Sequence, residues 1–192
     1  MITYLIQDEE LVKGYLQGDE ECLRLLIKRY QRKLFSYILF MVKDRALAED
    51  IFQDTFYKVI STLKGGKYHE EGKFYPWVVR ISRNLVIDHF RKIKKMTVVT
   101  DSDGNDLLGK IKIAERNRED EITEQENHYM LKKLINSLPP EQKEVLILRH
   151  YADLSFKEIA DLTHVSINTS LGRMRYALIN MRKMIMKYNL SV

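Results

Sequence analysis

A chain of 192 residues, 45% hydrophobic and 31% charged, holds one domain or two small ones, and its eight Gly and three Pro are too few for an all-β sandwich, which leaves an all-α fold. The longest purely apolar run, residues 37–42, is far short of the roughly 20 needed for a membrane span; no basic segment leads an apolar one as in a secretion signal, and the lone Cys22 cannot form an internal disulfide, so a cytoplasmic address without membrane insertion is expected. The net charge of +5 divides into +5 for residues 1–100, −5 for 101–126 and +5 for 127–192, two basic modules around an acidic connector, as two contacts with a polyanion would require.

In chain order, Leu11, Val12, Tyr15 and Leu16 have helical spacing, and Gly18-Asp19 ends that helix and caps the next. Leu23, Leu26, Ile27, Tyr30, Leu34, Tyr37, Ile38 and Met41 then trace one long amphipathic helix ending near Lys43-Asp44. Leu47, Ile51, Phe52, Thr55, Phe56, Val59, Ile60 and Leu63 trace another, stopped by Gly65-Gly66. After a loop over 66–73, Pro76 suits a first helical turn, and Trp77, Ile81, Leu85 and Val86 form an inward face up to the basic run 91–95. These helices make a first domain, residues 1–95.

Residues 96–120 lose the helical period and read as an acidic linker. The order Asp101-Ser-Asp-Gly puts glycine at the fourth position, where a calcium loop needs it at the sixth, so no metal is expected there. A second domain covers 121–192. Leu131, Leu134, Ile135 and Leu138 share a face before Pro139-Pro140, Val145, Leu146 and Leu148 carry the next helix, and residues 151–154 turn the chain. Ser155 and Glu158 have capping-box spacing. Ile159, Ala160 and Leu162 bury the short helix that follows, residues 163–165 form a tight turn, and Ser166 caps a longer helix, which is helix-turn-helix spacing. His164 stands where such turns usually have Gly, and His tolerates a left-handed backbone better than most residues. In the second helix Ile167, Leu171, Met174, Leu178, Met181 and Ile185 are expected to face inward, leaving Asn168, Thr169, Gly172, Arg173 and Tyr176 outside. Residues 166–187 carry five Lys or Arg and no acid, as a groove-binding helix requires.

Three motifs in order resemble the extracytoplasmic-function (ECF) sigma factors of bacterial RNA polymerase. Residues 48–59 (AEDIFQDTFYKV) resemble the family's polymerase-core-binding helix, and residues 74–91 (FYPWVVRISRNLVIDHFR) its minus-ten element. Residues 136–149 (NSLPPEQKEVLILR) followed by 154–160 (LSFKEIA) resemble its minus-thirty-five-reading domain. The resemblance implies a sigma factor, not an enzyme and without cofactor, whose partners are core RNA polymerase and promoter DNA, duplex and melted. It leaves open an anti-sigma factor as a further partner. Thr169-Ser170-Leu171-Gly172 departs from the family's usual Thr-Val-basic-Ser, so groove contacts do not transfer directly. Gly172 serves either close backbone approach to DNA or close packing.

Glu49, Asp50, Gln53 and Asp54 share one helical face opposite the apolar stripe, which suits a basic protein partner or a merely solvated face. By resemblance the partner is the coiled-coil clamp of the polymerase largest subunit. Around Trp77, a core residue before a base stacker, aromatics alternate with cations as in single-strand binders. Arg80, Arg83 and Arg91 suit phosphates, while Asn84 and Asp88, one turn apart, can read an extruded base with the loop 66–73 as the other wall. The minus-thirty-five candidates are Ser166, Asn168, Thr169, Gly172, Arg173 and Tyr176. The acidic linker either occupies a basic polymerase channel, as the resemblance implies, or is a plain tether. Two other readings are a free-standing helix-turn-helix regulator and a metal-dependent nuclease using Glu49, Asp50 and Asp54, though no His stands at helical spacing from those acids.

Overall fold

A computed structural model describes residues 6–69, 72–100 and 130–187, and every regular element among them is a helix. In order these are α1 (Asp8–Leu16), α2 (Glu20–Val42), α3 (Arg45–Lys64), α4 (Phe74–Thr100), α5 (described over 130–136), α6 (Pro140–His150), α7 (Phe156–Thr163) and α8 (Ile167–Lys187). They form two clusters, α1–α4 and α5–α8.

Local chemistry sets the N-terminal cluster's boundaries. The Asp19 carboxylate accepts from the Glu21 amide at 2.9 Å to start α2, and the Asp44 carboxylate accepts from Leu47 N at 2.9 Å to start α3. A side chain at Gly14 would place its Cβ 2.6 Å from Cys22 Sγ, so the glycine sets how closely α1 lies on α2. Leu26, Leu34, Ile38, Val59, Val78 and Val79 are fully buried where α2, α3 and α4 meet. Tyr30 of α2 stacks on Tyr75 of α4 with centroids 4.3 Å apart, and its hydroxyl donates to Asp8 of α1, which also pairs with Arg29.

Helix α4 continues to Thr100, five residues into the stretch expected as linker. The rest of that linker, 101–120, the start of the second domain, 121–129, and Glu70-Glu71 of the loop lie outside the described residues.

In the C-terminal cluster Pro140 opens α6 at its first position, and Leu134, Ile135 and Leu138 are buried before it. Four consecutive residues of α6, Val145, Leu146, Ile147 and Leu148, are buried, because α7 and α8 cover one side and the N-terminal cluster the other.

The inward stripe of α8 differs from the expected one. Met181 is buried and Met174 and Ile185 are half-buried against the core, as expected, but Ile167, Leu171 and Leu178 are 45%, 44% and 45% exposed, and Ser170 and Ala177 are buried in their stead. The helix is rotated by about one residue relative to its apolar pattern, since close approach to α6 and α7 requires small side chains at the crossing.

Candidate nucleic-acid and protein interfaces

The helix-turn-helix is built by caps. Ser155 N donates to Glu158 Oε2 at 2.6 Å and Glu158 N donates to Ser155 Oγ at 3.3 Å, a complete capping box on α7. At the other end His164 adopts φ 57° and ψ 44°, and its amide and that of Val165 both donate to Ala160 O. Ser166 Oγ then accepts from Thr169 N at 3.0 Å to start α8. Arg149 fixes the approach to α7, donating to Leu154 O at 2.9 Å with its guanidinium 5.5 Å from the Phe156 ring centroid. These bonds present Ser166, Asn168, Thr169 and Tyr176 as exposed and Gly172 and Arg173 as half-buried. A Cβ at Gly172 would meet nothing within 4 Å, which removes close packing as the reason for this glycine.

On α4, Arg80, Asn84, Asp88 and Arg91 are exposed, and Arg91 lies 3.6 Å from Asp88. The loop and the start of α4 make a cavity wall of Lys67, Tyr68, His69, Lys73, Trp77 and Arg80. Asn84 and Asp88 lie farther along α4 and do not line it. Trp77 packs against Tyr68 and Phe74 at 4.4 and 5.9 Å between centroids, so it serves the core and the cavity together. Arg83 is turned to the C-terminal cluster, donating Nε and Nη2 to Glu144 Oε1 at 2.9 and 2.6 Å.

On α3, Glu49, Asp50, Gln53 and Asp54 are all exposed, Glu49 in an ion pair with Arg45 at 2.9 Å. Tyr57, 74% exposed, continues the row one turn after Gln53. It was not picked out from sequence, although its place beside the buried Phe56 and outside the apolar stripe was the available signal. An exposed aromatic of this size beside a row of acids is a candidate anchor for a protein partner. Among the described residues, no three His, Cys, Asp or Glu gather as a metal site.

The comparisons with known proteins agree with this layout. Residues 26–96 match the family described as Sigma-70 region 2 and residues 128–171 that described as Sigma-70, region 4. The chain is 31% identical over 162 residues to the RNA polymerase sigma factor SigV of Bacillus subtilis, covering 84% of this chain and 87% of that protein. It is 28% identical over 175 residues to the RNA polymerase sigma-H factor of Pseudomonas aeruginosa, covering 87% and 88%. The structure of CnrH in complex with the cytosolic domain of CnrY shares the fold at a TM-score of 0.66 and 17% identity, covering 94% and 97%. Bartonella quintana RpoE, in complex with the anti-sigma factor NepR, gives 0.64 at 21% identity, covering 85% and 96%.

Two helical clusters, each matching one sigma-70 region, define a promoter-recognition subunit. The chain belongs to the ECF branch of the sigma-70 family of RNA polymerase sigma factors. Its function is to direct RNA polymerase to promoters, it is not an enzyme, and the free-standing regulator reading is not favoured.

Proposed function

We propose that the two sigma functions divide at the connector, with residues 1–95 binding core polymerase and the minus-ten element, and residues 121–192 binding the minus-thirty-five element. The observation that carries this reading is the exposed acidic row of α3, Glu49, Asp50, Gln53 and Asp54, a face suited to a basic protein partner in a chain that otherwise meets DNA. Arg80, Asn84, Asp88 and Arg91 on α4 face solvent in a row suited to a displaced strand, with Arg83 joining them once it leaves Glu144. Ser166, Asn168, Thr169, Gly172, Arg173 and Tyr176 enter the major groove from the capped end of α8.

Promoter DNA and polymerase place the working protein in the cytoplasm. No helix among the described residues is long and apolar enough to cross a membrane. An anti-sigma factor is a further partner, on the likeness to RpoE, whose structure was solved with one. The test is co-purification with core polymerase. Asp50→Arg should abolish it while leaving the helical circular-dichroism spectrum intact, and undiminished co-purification by that variant would sink the assignment of α3.

A further inference from the structure

The rotation of α8 leaves two large apolar side chains where a groove-binding helix meets its target. Ile167 and Leu171 are 45% and 44% exposed and stand one turn apart at the start of the helix. The hydroxyls beside them are engaged in the cap: Ser166 Oγ and Thr169 Oγ1 lie 2.9 Å apart, and Ser166 Oγ also accepts from Thr169 N. Within residues 167–173, Ser170 is buried and Gly172 has no side chain, so base edges are met by Ile167, Asn168, Leu171 and Arg173. Arg175, Arg182 and Lys183 are exposed farther along, and residues 166–187 contain no acid, which suits phosphates on either side of a groove.

The major-groove edges of the four bases carry hydrogen-bond donors and acceptors and a single apolar group, the C5 methyl of thymine. Leucine and isoleucine have no hydrogen bond to give. Pressed onto a guanine or cytosine edge, they would leave its polar groups desolvated and unpaired, whereas a thymine methyl gains by the contact. Asn168 adds the complementary preference, because its amide pairs with N6 and N7 of adenine. From Ile167 to Leu171 the helix advances about 6 Å, close to two base-pair steps of about 3.4 Å each. Leu178 is exposed by the same rotation but lies about 10 Å beyond Leu171 along the axis and takes no part.

Resting on the minus-thirty-five reading of α8, we propose that Ile167 and Leu171 are specificity-determining residues. Each packs on the methyl of a thymine, the two about two base-pair steps apart, so A·T pairs rather than G·C pairs set those positions of the upstream box.

The test removes the methyl and nothing else. Holoenzyme assembled from core polymerase and the full chain selects its upstream box from a pool of duplexes of randomised sequence, and the box is then remade with deoxyuridine in place of each thymine in turn. Affinity should fall about fourfold at each of two thymines, as for one buried methyl-sized group. Leu171→Ala should no longer distinguish thymine from uracil at one of them and Ile167→Ala at the other, with the fold kept because both side chains are exposed. A new selection with Leu171→Arg should move the first position to guanine, which arginine reads through O6 and N7. Full affinity with uracil at every position overturns the methyl contact, and is the result expected if a protein partner covers these side chains instead. Alanine variants that keep the parent's discrimination overturn it as well. In either case a selected upstream box leaves the minus-thirty-five reading standing, whereas no upstream preference at all overturns both.

Discussion

Ser155 and Glu158 satisfy each other's backbone amides at the start of α7, and this reciprocal pair holds the first helix of the helix-turn-helix in place. Removing the hydroxyl leaves the Glu158 amide without its acceptor. Ser155→Ala should therefore lower stability by about 1 kcal/mol in urea unfolding, as loss of an N-cap does. An unchanged midpoint and slope would show that α7 is held by packing alone.

Gly172 lies in the middle of α8 with open space where a side chain would go. Gly172→Ala should raise stability by about 1 kcal/mol through helix propensity, because no neighbour resists the methyl group. The same variant should bind minus-thirty-five duplex more weakly, since close approach to the DNA backbone is the remaining reason for glycine. Stabilisation with undiminished duplex affinity would show that no such approach occurs.

Tyr57 contributes little to folding, being largely exposed. Tyr57→Ala should change stability by no more than about 0.5 kcal/mol. Association with core polymerase should weaken by about 2 kcal/mol, as for an aromatic anchor at the centre of an interface. Surface-immobilised core polymerase measures the second effect and thermal unfolding the first; equal polymerase affinity for the two proteins would remove Tyr57 from the interface.

Burial pushes the phenols of Tyr37, Tyr30 and Tyr75 up, with Asp8 also acting on Tyr30 and Asp153 on Tyr75. The folded chain thus holds these protons to higher pH than the unfolded chain, which releases them near about pH 10. Their stabilising effect is fully present below about pH 10 and is lost as pH rises towards the folded values, each phenol adding a slope of up to about 1.4 kcal/mol per pH unit. Tyr37→Phe should flatten the alkaline fall in urea-unfolding stability. A fall as steep as in the parent would show that Tyr37 does not contribute.

Most helix boundaries were legible because local chemistry sets them: Asp19, Asp44, Ser155 and Ser166 each accept from the amide two or three residues on, and Lys43 and His164 end helices in left-handed conformations, whereas α4 runs five residues past its expected end. The facing of α8 was legible only in part, at Met174, Met181 and Ile185. Periodicity counts apolar side chains, whereas Ser170 and Ala177 are buried for being small where helices cross closely. The acidic row of α3 could be read because it repeats along one face of a single helix. The pairing of Arg83 with Glu144, 61 residues apart, and of Lys33 with Asp153, 120 apart, could not. Such contacts follow from how two clusters meet, and no local pattern encodes that.

The reading of α4 as a strand-capturing face predicts a separation of steps. Asn84→Ala should leave duplex promoter binding by holoenzyme nearly unchanged while reducing open complex, because a base contact forms only after the strands part. Permanganate reactivity of unpaired thymines, compared at matched occupancy, follows that step. Normal opening by the variant would return Asn84 to an ordinary solvated position.

The most direct measurement is run-off transcription from genomic fragments with purified core polymerase. Adding the protein should produce discrete transcripts absent with core alone, and the Asp50→Arg variant should produce none. A transcript pattern indistinguishable from core alone, with the protein folded and in excess, would contradict the account.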